Sequence, residues 1–234
     1  MDSFFGLAIE LRALHVLDLV LPRRCAACGR GEELVCGDCR EALRRLNGTL
    51  CARCGAPTAW PVSRCRECSG RRLSFASARA AVVYEGPARP LVAAWKDRGL
   101  RLLAREFGSL VAEVVPRPPV EVLAFVPGDP DRSLKRGQNA AEALARELGR
   151  RWELPVEILL RRGEAARPQR GLSRAERRLN VRGSFAVVER PTAHVGLVDD
   201  VYTTGATVAA AATELRRSGT RSVHVVTFAR TVRR

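Results

Sequence analysis

The eight cysteines of the 234-residue chain all lie between positions 25 and 68 and occur only as CxxC pairs: Cys25 with Cys28, Cys36 with Cys39, Cys51 with Cys54, and Cys65 with Cys68. A CxxC turn points two thiolates at one ion while nearby backbone N–H groups face the sulfurs. Two such knuckles complete a tetrahedral, all-cysteine zinc site with about 2.3 Å per Zn–S bond. Eight ligands make two sites, and the short separations within 25–39 and within 51–68 favour sequential over interleaved pairing. A disulfide framework is the competing reading for a small secreted domain. It fits poorly with cysteines that come only as CxxC pairs in a chain with no export signal. A catalytic redox CxxC usually opens a helix and occurs once. With four cysteines per ion no coordination position is left for water, so the zinc is structural. It holds together a segment with few apolar residues to bury.

Composition narrows the remainder. With 46% hydrophobic residues, one or two folded domains are expected and intrinsic disorder is not. Lys plus Arg number 40 against 25 Asp plus Glu, a formal charge of +15. Only Lys96 and Lys135 are lysines; every other basic residue is Arg, whose planar fork grips phosphate bidentately. Phosphate-bearing partners are one explanation, and the base composition of the gene is the other. Eight thiolates with two Zn2+ carry a net −4, which lowers the formal charge from +15 to +11.

Met1 to Leu21 is apolar but carries Asp2, Glu10, Arg12 and Asp18, with no basic start and no small-residue cleavage site, so it does not read as a signal peptide. Leu7, Leu11, Leu14 and Asp18, like Phe4, Ala8, Leu11 and His15, fall at helical spacing, which predicts an amphipathic helix that docks on the rest of the protein. The alternative of a membrane-surface helix lacks the usual Lys and Arg on its polar face. The longest uncharged stretch, Val201 to Thr213, is too short to span a bilayer, for which about 20 residues are needed. No membrane span is expected, and the protein reads as soluble and cytoplasmic.

After Arg71 and Arg72 the cysteines stop and strand-like and helix-like segments alternate. Strands are predicted over Ala78–Tyr84, Val120–Val126, Val156–Leu160, Ser184–Val188, Val195–Val198 and Ser222–Phe228. Helices are predicted over Leu100–Val115, Ala140–Trp152 and Val208–Arg217, the last stopped by Gly219. Such alternation predicts an α/β fold, a parallel sheet covered by helices, whose ligands bind beyond the carboxyl ends of the strands.

Beyond one of those ends lies Val195-Gly-Leu-Val-Asp199-Asp200-Val201-Tyr202-Thr203-Thr204-Gly205-Ala206-Thr207. A Thr- and Gly-rich turn opening a helix presents N–H groups and hydroxyls to a phosphate, and Gly205 permits close approach. Adjacent carboxylates can accept hydrogen bonds from the two vicinal hydroxyls of a ribose. The segment thus describes a ribose 5-phosphate site; a surface turn with a Thr cap and solvated acids is the plainer alternative. After Val126 the run Pro127 to Asn139 places Lys135, Arg136 and Gly137 where a pyrophosphate could sit. Between Arg161 and Arg182 eight Arg face Glu164 and Glu176, a local +6 that includes Arg170 and Arg174. This segment reads as a hood over an anionic ligand, as a track for a nucleic-acid backbone, or as a solvated basic helix.

The thirteen residues Val195 to Thr207 resemble the phosphoribosyl pyrophosphate (PRPP) motif of type I phosphoribosyltransferases: four apolar positions, two acids and a TTGAT turn. That resemblance implies that Asp199 and Asp200 are the catalytic-site acids on the ribose hydroxyls. It implies also that Val201 and Tyr202 with Thr203, Thr204, Gly205, Ala206 and Thr207 form the phosphate loop. Where purine-salvage members carry an acid to serve the incoming base, this chain has Thr203, which cannot act as a general base near neutral pH. Together with the zinc ribbons, Lys96-Asp-Arg98-Gly99, Lys135-Arg-Gly-Gln-Asn139 and Gln169 to Asn180, the loop resembles the ComF-like competence-protein family over nearly the whole chain. Gln138 and Asp97 stand where that family often has an aromatic and a Tyr.

The family resemblance implies an N-terminal helix over 1–21, a double zinc ribbon over 22–72, and a type I phosphoribosyltransferase-like PRPP-binding domain over 73–234 with helices on both sheet faces. It implies Mg2+ with PRPP, pyrophosphate near Lys135, Arg136, Gly137 and the hood, and a link to DNA uptake. Single-stranded DNA and competence-machinery proteins are the partners it suggests. The remaining alternative is an accessory protein that binds single-stranded DNA without catalysis, with Tyr202, Trp60 and Trp95 as candidate stacking platforms.

Overall fold

The alternating segments assemble into a parallel sheet in a computed structural model that describes residues 24–128, 139–163 and 184–232. The predicted N-terminal helix, the Lys135–Gly137 loop, and Arg170 and Arg174 of the hood lie outside the described residues. In chain order the elements are α1 (Gly37–Glu41), β1 (Ser77–Val83), α2 (Ala88–Asp97), α3 (Leu103–Val114), β2 (Val122–Phe125), α4 (Ala140–Trp152), β3 (Val156–Glu157), β4 (Leu160–Arg162), β5 (Phe185–Val187), β6 (His194–Tyr202), α5 (Ala206–Arg217) and β7 (Ser222–Arg230). Five strands pair in parallel in the order β1-β7-β6-β2-β3.

Alternate side chains of each strand enter different cores, as a period of two requires. Leu123, Phe125, Val226 and Phe228 join α2, α3 and α4 on one face. Val122, Ala124, Val223 and Val225 join α5 on the other. Buried on both faces, the strands are nearly continuous runs of Val, Leu, Ala and Phe. On the first face Phe107 stacks on Phe228 with ring centroids 3.8 Å apart, and Trp95 meets Phe107 edge-on at 4.9 Å.

The zinc-ligand segments are part of these cores. Cys25, Val35, Cys39 and Leu43 belong to the first-face cluster, and Cys51, Cys54, Ala56, Cys68 and Leu73 to the second. Backbone bonds tie both ribbons to β1: Leu46 N donates to Ala81 O at 2.8 Å, Val83 N to Arg44 O at 2.9 Å, and Ala78 N to Arg53 O at 2.9 Å.

Three predicted strands differ from the structure. Val156–Leu160 is not one strand: Val156 and Glu157 pair with β2, Ile158 is exposed, and the chain turns off the sheet to pair antiparallel as β4 with β5. The strand predicted at Ser184–Val188 forms, but in this side ribbon and not in the main sheet. Strand β6 runs past Val198 through both acids to Tyr202, because β7 keeps pairing with it as far as Tyr202 opposite Arg230. The apolar pattern stops where the ligand chemistry starts, whereas the backbone ladder does not.

Candidate functional site

The two sets of thiols gather as the spacing favours, Cys25, Cys28, Cys36 and Cys39 in one cluster and Cys51, Cys54, Cys65 and Cys68 in the other, each with sulfurs within 4.8 Å of one another. Contacts of 3.7 Å for Cys28–Cys36, 3.7 Å for Cys51–Cys68, 3.5 Å for Cys54–Cys65 and 4.0 Å for Cys65–Cys68 match the edge of about 3.8 Å of a tetrahedral unit of one zinc and four sulfurs. Backbone N–H groups of Cys36 and Cys65 face the sulfurs of Cys25 and Cys51 at 3.5 and 3.3 Å. Donor type, number and spacing therefore fit structural zinc.

At the carboxyl end of the sheet a cleft of about 490 Å3 opens between β2, β6 and α2. Its lining includes Tyr84, Lys96, Asp97, Pro127, Gly128, Asn139, Arg162, Asp199, Asp200, Val201, Thr203 and Thr207. Asn139, the N-cap of α4, accepts from Ala141 N at 3.1 Å and donates to Val126 O at 3.1 Å, so it fixes the chain on either side of the loop after β2. Arg162 Nε donates to Pro127 O at 3.0 Å.

The acid pair has an asymmetric environment. Asp200 is in an ion pair with Lys96, Nζ to Oδ2 at 2.7 Å, and it accepts from Val201 N at 2.6 Å. Asp199 accepts from Asp200 N at 2.9 Å. Burial, and then the charge of Asp200, push the Asp199 carboxyl up from 3.8 to about 8, against the opposing pull of the Asp200 N–H, Lys96 and Arg162. Near neutral pH the pair thus holds a proton on Asp199, which can donate to a hydroxyl as well as accept from one.

The Thr–Gly turn leads from β6 into α5. Gly205, the N-cap of α5, has φ 71°, and a Cβ there would lie 2.3 Å from the Tyr202 hydroxyl. Both the left-handed backbone and the ring beneath it demand glycine. Thr204 Oγ1 accepts from Ala206 N at 3.3 Å, and Thr203, Thr204 and Thr207 are exposed. Tyr202 differs from its expected place in the phosphate loop. Its ring is buried under the turn, edge-on to Phe75 at 6.3 Å, and its hydroxyl has no hydrogen-bond partner among the described residues. Trp95 is buried as well, so neither is a surface stacking platform, whereas Trp60 is 70% exposed.

Sequence reasoning singled out Lys96 as part of a segment but not as the partner of Asp200, a contact across more than a hundred residues. Arg162, one of the eight Arg of the predicted hood, lines the cleft, whereas Arg230 was missed. The latter is 1% exposed, donates to Cys54 O and to Glu67 Oε2 at 2.9 Å, and lies 5.1 Å from the Tyr202 ring centre. No local pattern distinguishes these from the many other Arg of the chain.

Two zinc ribbons packed against a parallel α/β sheet, with an acid pair and a Thr–Gly turn at the carboxyl end of a central strand, define an α/β protein with a double zinc ribbon. Residues 16–69 match the double zinc ribbon domain. The chain is 27% identical to Competence protein F of Haemophilus influenzae, covering 84% of this chain and 90% of that one. It is 27% identical to Competence protein ComFC of Bacillus subtilis (93% and 88% covered) and 29% identical to DNA utilization protein YhgH of Escherichia coli O6:H1 (92% and 100%). Over most of its length the chain is thus similar to competence and DNA utilization proteins, and near its N-terminus to double zinc ribbon domains. Among solved structures it is similar to the glutamine PRPP amidotransferase from B. subtilis complexed with ADP and GMP, with 22% identity and a TM-score of 0.39, over 54% of this chain and only 26% of that one. No helix among the described residues is long and apolar enough to cross a membrane.

Proposed function

We propose that the protein binds a ribose 5-phosphate group, as PRPP with Mg2+, in the cleft bordered by Asp199 and Thr203, and that it acts in DNA uptake. One observation carries the ligand reading: an acid pair and the turn at the N-terminus of α5 border a single cleft, with Lys96 beside the acids. In this reading the amides and hydroxyls of Thr203 to Thr207 hold the 5-phosphate, which the partial positive charge of the helix end also favours. Ionised Asp200 accepts from one ribose hydroxyl, and protonated Asp199 can donate to or accept from the other.

Mg2+ bound with PRPP would offset the charge that builds on the leaving group. Lys135, Arg136, Gly137, Arg170 and Arg174 are the residues assigned to pyrophosphate, with residues 73–234 as the ligand-binding domain and 22–72 as the ribbons. Thr203, in place of an acid, argues against a purine acceptor. The role in DNA uptake follows the names of the relatives, competence and DNA utilization proteins.

Calorimetry with PRPP and Mg2+ tests the ligand reading. Saturable binding is expected for the native chain and loss of it in Asp199→Asn with Asp200→Asn; equal heats in the two proteins would overturn it. A pyrophosphate-release assay over candidate acceptors then separates a transferase from a binding protein. The DNA reading has less to draw on, since of its three candidate aromatics only Trp60 is at the surface. A DNA affinity that falls steeply with salt would favour it.

A further inference from the structure

The second ribbon and the Thr–Gly turn meet through one buried side chain. Arg230 ends β7 opposite Tyr202, and its fork reaches both knuckles of the second cysteine cluster: the Cys54 carbonyl in the first and Glu67, between Cys65 and Cys68, in the other. The same guanidinium lies 5.1 Å from the centre of the Tyr202 ring, and that ring closes off the space beneath Gly205. From outside, Arg71, three residues after Cys68, donates to Thr204 O at 2.6 Å. Thr231 N donates to Tyr202 O and Thr231 Oγ1 to Thr203 O, each at 3.0 Å. The first ribbon makes no such contact among the described residues; its side-chain links go to Arg98 and Glu106 on the other sheet face.

We infer that zinc at Cys51, Cys54, Cys65 and Cys68 positions the Thr203–Thr207 turn through Arg230 and Arg71, so that loss of this zinc, and not of the first, disorders the turn. Arg230 and Arg71 are positioning residues, since neither lines the cleft. The consequence for ligand binding rests on the ribose 5-phosphate reading above; the coupling itself does not. Coupling between two sites is reciprocal, so a ligand on the turn must hold the second zinc more tightly by the same factor, about 5-fold or more.

The experiment uses the zinc-loaded full chain with Arg71→Ala and Arg230→Lys. Hydrogen exchange is read without ligand at the amides of 203–207. Faster exchange is expected in both variants with both zinc ions retained. Stripping of zinc by EDTA is then followed by alkylation of released cysteines and peptide mapping. Ribose 5-phosphate is expected to slow release from Cys51–Cys68 and to leave Cys25–Cys39 unchanged, an effect lost in the variants. Unchanged exchange at 203–207 in both variants, or ligand-bound protein that releases the two zincs as fast as free protein, overturns the inference. If Arg230→Lys fails to fold, Arg71→Ala at the surface decides alone. If calorimetry shows no ribose 5-phosphate binding, the functional reading fails. The coupling is then decided by whether stripping the second zinc speeds exchange at 203–207 while stripping the first does not.

Discussion

The two ribbons share a ligand set but not a role. Each has two CxxC knuckles, and each places a glycine with positive φ directly after its second cysteine: Gly29 at 74° and Gly55 at 68°. The first packs on the α2–α4 face of the sheet, where Arg40 and Glu106 form a 3.0 Å ion pair at the surface. The second packs on the α5 face, under the turn that opens α5, and places Cys54 and Glu67 around the buried Arg230. What surrounds a structural zinc decides what the metal stabilises, and the same motif buttresses helices in one place and a candidate ligand loop in the other.

The sharpest way to break this comparison is to remove one zinc at a time. Apparent binding energies of structural zinc reach about 10 kcal/mol or more, so each loss is large. Cys54→Ser, at a buried ligand enclosed by the sheet core, is expected to abolish the cooperative melting transition. Cys28→Ser, at an exposed ligand, should release one zinc and leave the transition at lower temperature. Metal stoichiometry with circular-dichroism melts reads both. Next comes Arg230→Ala, which removes a guanidinium that is 1% exposed and leaves the Cys54 carbonyl and the partly exposed Glu67 without their partner; a loss of about 3–5 kcal/mol is expected in urea unfolding.

Glycine substitutions sharpen the same contrast at a smaller scale. Gly29→Ala faces open space and should cost about 1–2 kcal/mol for its backbone alone. A Cβ at Gly55 would lie 2.3 Å from the Ala78 carbonyl of β1, so Gly55→Ala should cost about 1–3 kcal/mol more. Smallest is Arg40→Ala in the first ribbon, expected to change stability by about 0.2–1 kcal/mol because both partners are more than a third exposed. Equal costs for Arg40→Ala and Arg230→Ala would remove the distinction between the two ribbons.

The Asp199 carboxyl adds a pH test. Its pKa rises from 3.8 to about 8 on folding, so the native state holds a proton that the unfolded chain has released. The stability from that proton is complete below about pH 4 and is lost as pH rises through about 8. The melting temperature should therefore fall from about pH 4 to about pH 8 and level off above that, and Asp199→Asn should flatten that fall.

The ribbons were legible because zinc ligation is local: four short CxxC turns carry the whole signal, and the clusters formed as the spacing favoured. The alternation of segments was legible for the same reason, and helix α4 spans the predicted Ala140–Trp152. The end of β6 was hidden because two acids interrupt the apolar pattern while the backbone ladder continues. The departure of the chain from the sheet at Ile158 was hidden too, since an edge strand and a side ribbon can share one apolar run. The contacts that complete the site join residues far apart in the chain, Lys96 with Asp200 and Arg230 with Glu67. In a sequence so rich in Arg, nothing local marks the one that is buried.

Whether the turn after β6 holds a sugar phosphate is tested most directly by a crystal structure of the zinc-loaded chain grown with ribose 5-phosphate. The 5-phosphate is expected on the amides of Thr203–Thr207 and the ribose hydroxyls on Asp199 and Asp200. Ribose 5-phosphate bound elsewhere, with the Asp200–Lys96 pair untouched, would contradict that assignment.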